Sequence, residues 1–168
     1  TDLIPMIISK TLKLNPHIRF KWIAFDESRQ DGALIKEDLR KLGVLDYVQL
    51  IPFSSDPLIH FANLDVFVLT SREESFSIVS LENIALGVPV ICFNQNIGAI
   101  ELIKDGAGST VEYLNLDEVA SEIESYASGR LKLKHASKKG IITAQLYSSD
   151  AVLKKFDTII LNSLNDRN

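Results

Sequence analysis

Apolar residues near the start of the chain recur at spacings of three and four: Leu3, Ile4, Ile7, Ile8 and Leu12. That period predicts an amphipathic helix, which Asn15-Pro16 ends. Ile18 to Phe25 reads as a strand, with Trp22 and Ile23 in a continuous apolar stretch. Asp31-Gly32 opens a loop, and Leu34, Ile35, Leu39 and Leu42 then predict a short helix ending at Gly43. Tyr47 to Ile51 is a strand stopped by Pro52, and Leu58 to Asn63 a short helix. Val66 to Thr70, Val90 to Phe93 and Ser109 to Glu112 are further short strands, with helices over about 78–86, 98–104 and 117–127 between and after them. Strand and helix alternate up to Ala127. Such alternation predicts an α/β fold, a parallel sheet with helices on both faces, right-handed crossovers and a ligand at the carboxyl ends of the strands.

After Gly129 the pattern weakens. Residues 130–139 are basic, and Ile141 to Leu146 continues a weak helical period. Ser148-Ser149-Asp150 supplies an N-cap for a clear amphipathic helix carrying Val152, Leu153, Phe156, Ile159 and Ile160. Residues 148–168 are expected to close a single domain spanning 1–168, with the last four residues frayed.

Composition narrows the possibilities. Net charge is −4 and pI about 5.4, which argues against a broad nucleic-acid face. One cysteine, Cys92, cannot form a disulfide within the chain, so a reducing compartment is the simpler expectation. There is no run of apolar residues long enough to span a bilayer and no signal pattern at the start. The three histidines are scattered without ligand spacing, so no metal site is expected.

The chemistry concentrates between Leu69 and Ile91. A strand runs into Ser75-Phe-Ser77, small residues around one aromatic, and a helix is expected from Ile78 to Gly87-Val88-Pro89. Ser77 suits the N-cap, and the backbone amides of Ile78 and Val79 then point outward at the positive end of the helix dipole. Such a donor array favours the growing negative charge of a departing diphosphate. Glu74 precedes the turn and Glu82 follows it, with seven residues between them. Glu82 lies four residues into the helix, roughly 6 Å along its axis from Ile78. Carboxylates on either side of an anion site suit hydroxyl groups, and a phosphate flanked by polyols is a nucleotide sugar. The bland alternative is an ordinary capped helix with a solvated glutamate.

Ser71-Arg-Glu-Glu-Ser-Phe-Ser77 followed by Ser80-Leu-Glu-Asn-Ile-Ala-Leu-Gly-Val-Pro-Val-Ile91 resembles the donor-site signature of family-four retaining glycosyltransferases of the GT-B fold. Leu64-Asp-Val-Phe-Val-Leu69, Gly98 to Gly108 and Tyr147-Ser-Ser-Asp150 extend the likeness over nearly the whole chain. The resemblance implies a Rossmann-like C-terminal domain that binds a nucleoside diphosphate sugar, with no metal or other cofactor. It implies that Glu74 contacts the donor sugar as the catalytic-site carboxylate, and Glu82 the ribose. It implies further that Ser75, Phe76, Ser77, Ile78 and Val79 hold sugar and diphosphate through backbone groups, and that Ile51, Pro52, Phe53 and Ser54 pack against the base. The reaction implied is transfer of a hexose to a hydroxyl of a glycan or lipid-linked glycan.

The chain departs from that pattern in places. Serines 75 and 77 stand where the family usually has glycine, Ala24 lies at a turn where glycine is common, and Pro52 replaces another. Family members begin this domain with a central strand, a glycine-rich turn and an Arg and Lys that clamp the diphosphate; here the first element is the helix after that turn. The strands at 18–25 and 66–70 are therefore expected to lack a shared neighbour. The expected partners are a nucleotide sugar, an N-terminal acceptor domain of the same enzyme and, through the basic run 130–139, an anionic membrane surface reached from the cytoplasmic side; nucleic acid is not expected. The alternatives are a nucleotide-sugar epimerase of similar layout and a non-catalytic nucleotide-binding domain.

Overall fold

The computed structural model describes residues 2–165, with side chains up to residue 162. The element order is α1 (Ile4–Leu14), β1 (Phe20–Ile23), α2 (Gln30–Lys41), β2 (Val48–Ile51), α3 (Leu58–Phe61), β3 (Phe67–Leu69), α4 (Ile78–Ala85), β4 (Val90–Phe93), α5 (Ile97–Ile103), β5 (Gly108–Val111), α6 (Leu116–Ser128), α7 (Arg130–Gln145) and α8 (Ser149–Asn165). All pairings between strands are parallel. Residues 166–168, expected to fray, lie outside the described residues.

The strands form two sheets, β1-β2 and β3-β4-β5, where the alternation alone predicts one. β1 and β3 are not hydrogen-bonded to each other, in keeping with the expected lack of a shared neighbour. Helices join the two halves. Ile7 of α1 packs with Ile91, Phe93 and Val111 and with Val119, Ile123 and Tyr126 of α6. The next residue, Ile8, packs instead with Phe25, Ile35, Leu39 and Val44 around the other sheet. Adjacent residues on a helix differ by about 100°, so one helix serves both cores.

The strand at the centre of the larger sheet shows the two-residue period directly. Ile91 and Phe93 face α1 and α6, whereas Val90 and Cys92 face Ile84, Ala99, Leu102 and Ile103 of α4 and α5. All four are buried, as expected for a parallel strand covered on both faces. The helix before it ends as its residues dictate. Leu86 is the C-cap and Gly87 takes φ +77°, the left-handed conformation that only glycine adopts cheaply.

Three local expectations change. The first strand shortens to Phe20–Ile23, because Arg19 turns back to the carbonyls of Pro16 and Ile18 and Ala24 leaves the extended region at φ +62°. Asp31-Gly32 does not open a loop but lies in the first turn of α2. Gly32 is needed there for close approach, since a Cβ would fall 1.9 Å from the Asp26 carbonyl oxygen. The basic run 130–139 forms one continuous helix with the weak period after it. Beyond it, Ser148 accepts from the Ala151 amide at 3.4 Å, as the N-cap expectation requires. Helix α8 leaves Val152, Leu153, Phe156 and Ile159 exposed to solvent.

Candidate functional site

The residues singled out from the sequence lie at or after the C-terminal ends of β2 and β3. Helix α4 begins at Ile78 with Ser77 as its N-cap, in extended backbone at φ −88°. The Ser77 hydroxyl accepts from the Ser80 amide at 3.3 Å and from the Ser80 hydroxyl at 2.8 Å. Both side chains are buried, so Ser77 serves the cap and can offer a ligand only its backbone. The amides of Ile78 and Val79 take no acceptor among the described residues. They are the outward donors of the helix start.

Glu82 lies three and four residues after Val79 and Ile78, on the same face of α4 as that first turn. Glu74 lies in the loop between β3 and α4. Both glutamates are half-buried, and neither side chain forms a hydrogen bond or ion pair among the described residues. Two half-buried carboxylates and two outward amides, none of them bonded to other described residues, thus lie together at the start of α4. Ile78 is exposed and Ser75 is exposed. Phe76 is exposed on one side and packs on the other against Tyr147, ring centroids 5.8 Å apart.

The departures from glycine are accommodated. Among the described residues only Ala24 and Leu114 are non-glycine residues with positive φ, so Ser75 and Ser77 stand in conformations that serine adopts freely. At Ala24, by contrast, the turn after β1 does take the left-handed conformation.

The segment after β2 is organised differently. Ile51 is a buried strand residue whose carbonyl accepts from the Phe25 amide at 2.8 Å, so its side chain is core and offers no surface to a base. Pro52 and Phe53 project beyond it, Phe53 with 84% of its surface exposed. Ser54 is engaged locally, accepting from the Asp56 amide and donating to the Asp56 carbonyl. Arg72 pairs with Asp2 through two bonds of 3.1 and 2.7 Å, and the guanidinium holds the Asp2 carboxyl below the usual carboxylate range. Arg72 thus fastens the β3 end to the start of α1. A shallow pocket of about 300 Å³ lined by Leu64, Asp65, Arg130 and Lys134 lies instead at the start of β3, away from the glutamates.

Residues 11–143 match the family model described as glycosyl transferases group 1. The chain belongs to this family. The glycosyltransferase domain is 29% identical over 161 residues to the O-antigen biosynthesis glycosyltransferase WclY of Escherichia coli, covering 96% of this chain and 42% of that protein. It is 41% identical over 78 residues to the capsular polysaccharide biosynthesis glycosyltransferase CapM of Staphylococcus aureus, covering 46% of this chain and 20% of CapM. Among solved structures, Anabaena HepE in complex with UDP superposes with a TM-score of 0.79 at 21% identity, over 94% of this chain and 44% of HepE. A glycosyltransferase from Rickettsia africae superposes with the same score at 24% identity, over 92% of this chain and 43% of that one. The chain therefore spans less than half the length of each of these relatives. The fold is that of a GT-B C-terminal domain.

Three residues beside the Glu74 loop were given no role from the sequence, although Gly98 and Tyr147 fall in segments that carry the family likeness. Asn96 and Gly98 sit at the start of α5 against the Glu74 loop, and Tyr147 supports Phe76. A glycine between apolar neighbours at a helix start was the one available sign.

Proposed function

We propose that this domain binds the donor of a retaining glycosyltransferase, which moves a hexose from a nucleoside diphosphate sugar to a hydroxyl of a glycan or lipid-linked glycan. The observation that carries this reading is the pair of unpartnered carboxylates, Glu74 and Glu82, flanking the free amides of Ile78 and Val79 within the family-matched region. Glu74 takes the sugar hydroxyls, and Glu82 the ribose. The α4 start takes the diphosphate, stabilising charge that grows as the glycosidic bond breaks. Pro52, Phe53 and Ser54 line the base side. The donor is a UDP-sugar, in line with UDP and UDP-glucose bound by HepE.

The acceptor site lies in an N-terminal domain of the same enzyme, a reading supported by how little of its relatives' length this chain spans. This 168-residue chain alone would then be inactive in transfer. The outer face of α7 supports contact with anionic lipid from the cytoplasmic side. Arg130, Lys134 and Lys138 recur there every fourth residue beside Leu131, 84% exposed, and form no ion pair among the described residues.

The test uses the full-length enzyme. Glu82→Ala should weaken UDP binding by calorimetry, and Glu74→Ala should lower turnover while sparing UDP binding. A hydrogen bond to a charged group is worth about 1.5–3 kcal/mol, so about ten- to a hundredfold is expected in each case. Two variants that bind and turn over like the parent would overturn the assignment.

A further inference from the structure

The loop carrying Glu74 has no regular structure of its own, yet a reacting sugar must be held to within a fraction of an ångström. Its support comes from the start of α5. The Asn96 side-chain amide donates to the Ser71 carbonyl at 2.9 Å across 25 residues of sequence. The Gly98 amide points at the Glu74 carbonyl at 3.4 Å. Gly98 also lies directly against the loop: a Cβ there would fall 2.2 Å from the Ser75 carbonyl oxygen and 2.7 Å from the Phe76 Cα. No side chain other than hydrogen fits between α5 and the loop.

Asn96 is unusual for its place. It is the N-cap of α5, where asparagine normally accepts an amide from the first turn of its own helix. Here it makes no such bond. The residue is wholly buried, and its Oδ1 is left without a partner. A buried acceptor with no protein partner is costly, and a local cap would be the obvious remedy. The side chain instead reaches away from its helix to the neighbouring loop, a local rule broken beside a candidate active site.

We infer that Asn96 and Gly98 are positioning residues: together they set the loop 71–76 so that the Glu74 carboxylate meets the donor sugar. This rests on the donor-site reading above. Their hydrogen bonds go to Ser71 and Glu74 and none goes to Ile78, Val79 or Glu82, so the nucleotide half of the site should feel their loss less.

The full-length enzyme with Asn96→Ser and with Gly98→Ala tests this, using UDP for binding and UDP-glucose for donor hydrolysis. Serine can cap α5 locally but is too short to reach Ser71, so the melting temperature should hold or rise. If the inference is right, kcat for UDP-glucose falls about tenfold or more while UDP affinity stays within about threefold of the parent. Gly98→Ala should fall further, since its new methyl displaces the loop. If Asn96→Ser keeps kcat within about twofold, or loses kcat only in step with stability and UDP affinity, the positioning role is wrong. If the parent enzyme binds no UDP and hydrolyses no UDP-glucose, the donor reading falls and this inference falls with it.

Discussion

The loops after β3 and β2 are both candidates for ligand contact, yet they are held in opposite ways. The loop after β3 is tied at its start by Asn96, pressed in its middle by Gly98 and closed at its end by the Ser77 cap. The loop after β2 has only the local Ser54–Asp56 turn and an exposed phenyl ring at Phe53. The strands that carry them, β3 and β2, are alike: each has one hydrogen-bonded neighbour and one buried residue. What differs is the strand alongside. β4, beside β3, is hydrogen-bonded on each side and has four buried residues, whereas β1, beside β2, pairs with β2 alone and has none fully buried. The contrast teaches that precision in this domain comes from the neighbouring element. The loop after β3 is anchored by α5, which is set in place by the buried β4; the loop after β2 rests on its local turn.

The largest expected effect tests that contrast in energy. Ile91→Ala in β4 should cost about 3–4 kcal/mol in urea unfolding, from lost burial and the cavity left. Ile23→Ala in β1, half-buried, should cost about half as much. Equal costs would mean that the two halves are equally complete and would remove the contrast.

A pH titration sharpens it from another side. Burial of Cys92 in β4 pushes its thiol from 9.0 up to about 11. The neutral thiol is therefore favoured by folding. Its contribution is whole below pH 9 and is lost as the pH rises from 9 towards 11, where the unfolded thiol ionises first. Two pH units at 1.36 kcal/mol each set a ceiling of about 3 kcal/mol. Cys92→Ala should flatten the stability profile over that window; an unchanged slope would show that the thiol is not dry in the folded chain.

The smallest effect concerns the less finished half. Ala24 holds φ +62° after β1, and glycine adopts that conformation without strain. Ala24→Gly should raise stability by about 0.5–1 kcal/mol, the relief of strain less the entropy glycine loses on folding. A lower melting temperature would show that the turn is not strained.

Much of this was legible along the chain. Residues Val90 to Phe93 form a strand with the bounds their apolar run predicts, and α4 begins at Ile78 behind Ser77. Gly87 ends that helix in the conformation for which glycine is suited. Elsewhere local signals misled. Gly32 reads as a loop residue but stands within a helix, because its role is to admit the Asp26 carbonyl. Ile51 reads as a loop contact but is spent in the core.

By itself the sequence determined what is local in cause: which segments are helix or strand, where caps and glycines stop them, and which stretch carries the two glutamates. Those follow from steric preference and from the match of apolar spacing to a period of two or 3.6, both of which act within a few residues. Only the tertiary structure decided that the strands divide into two sheets, that α1 serves two cores and that Asn96 forgoes its own helix for Ser71. A burial pattern states that a face is covered without naming its cover. A side-chain amide bonds whichever carbonyl the fold brings near, and here the fold brings one from 25 residues away.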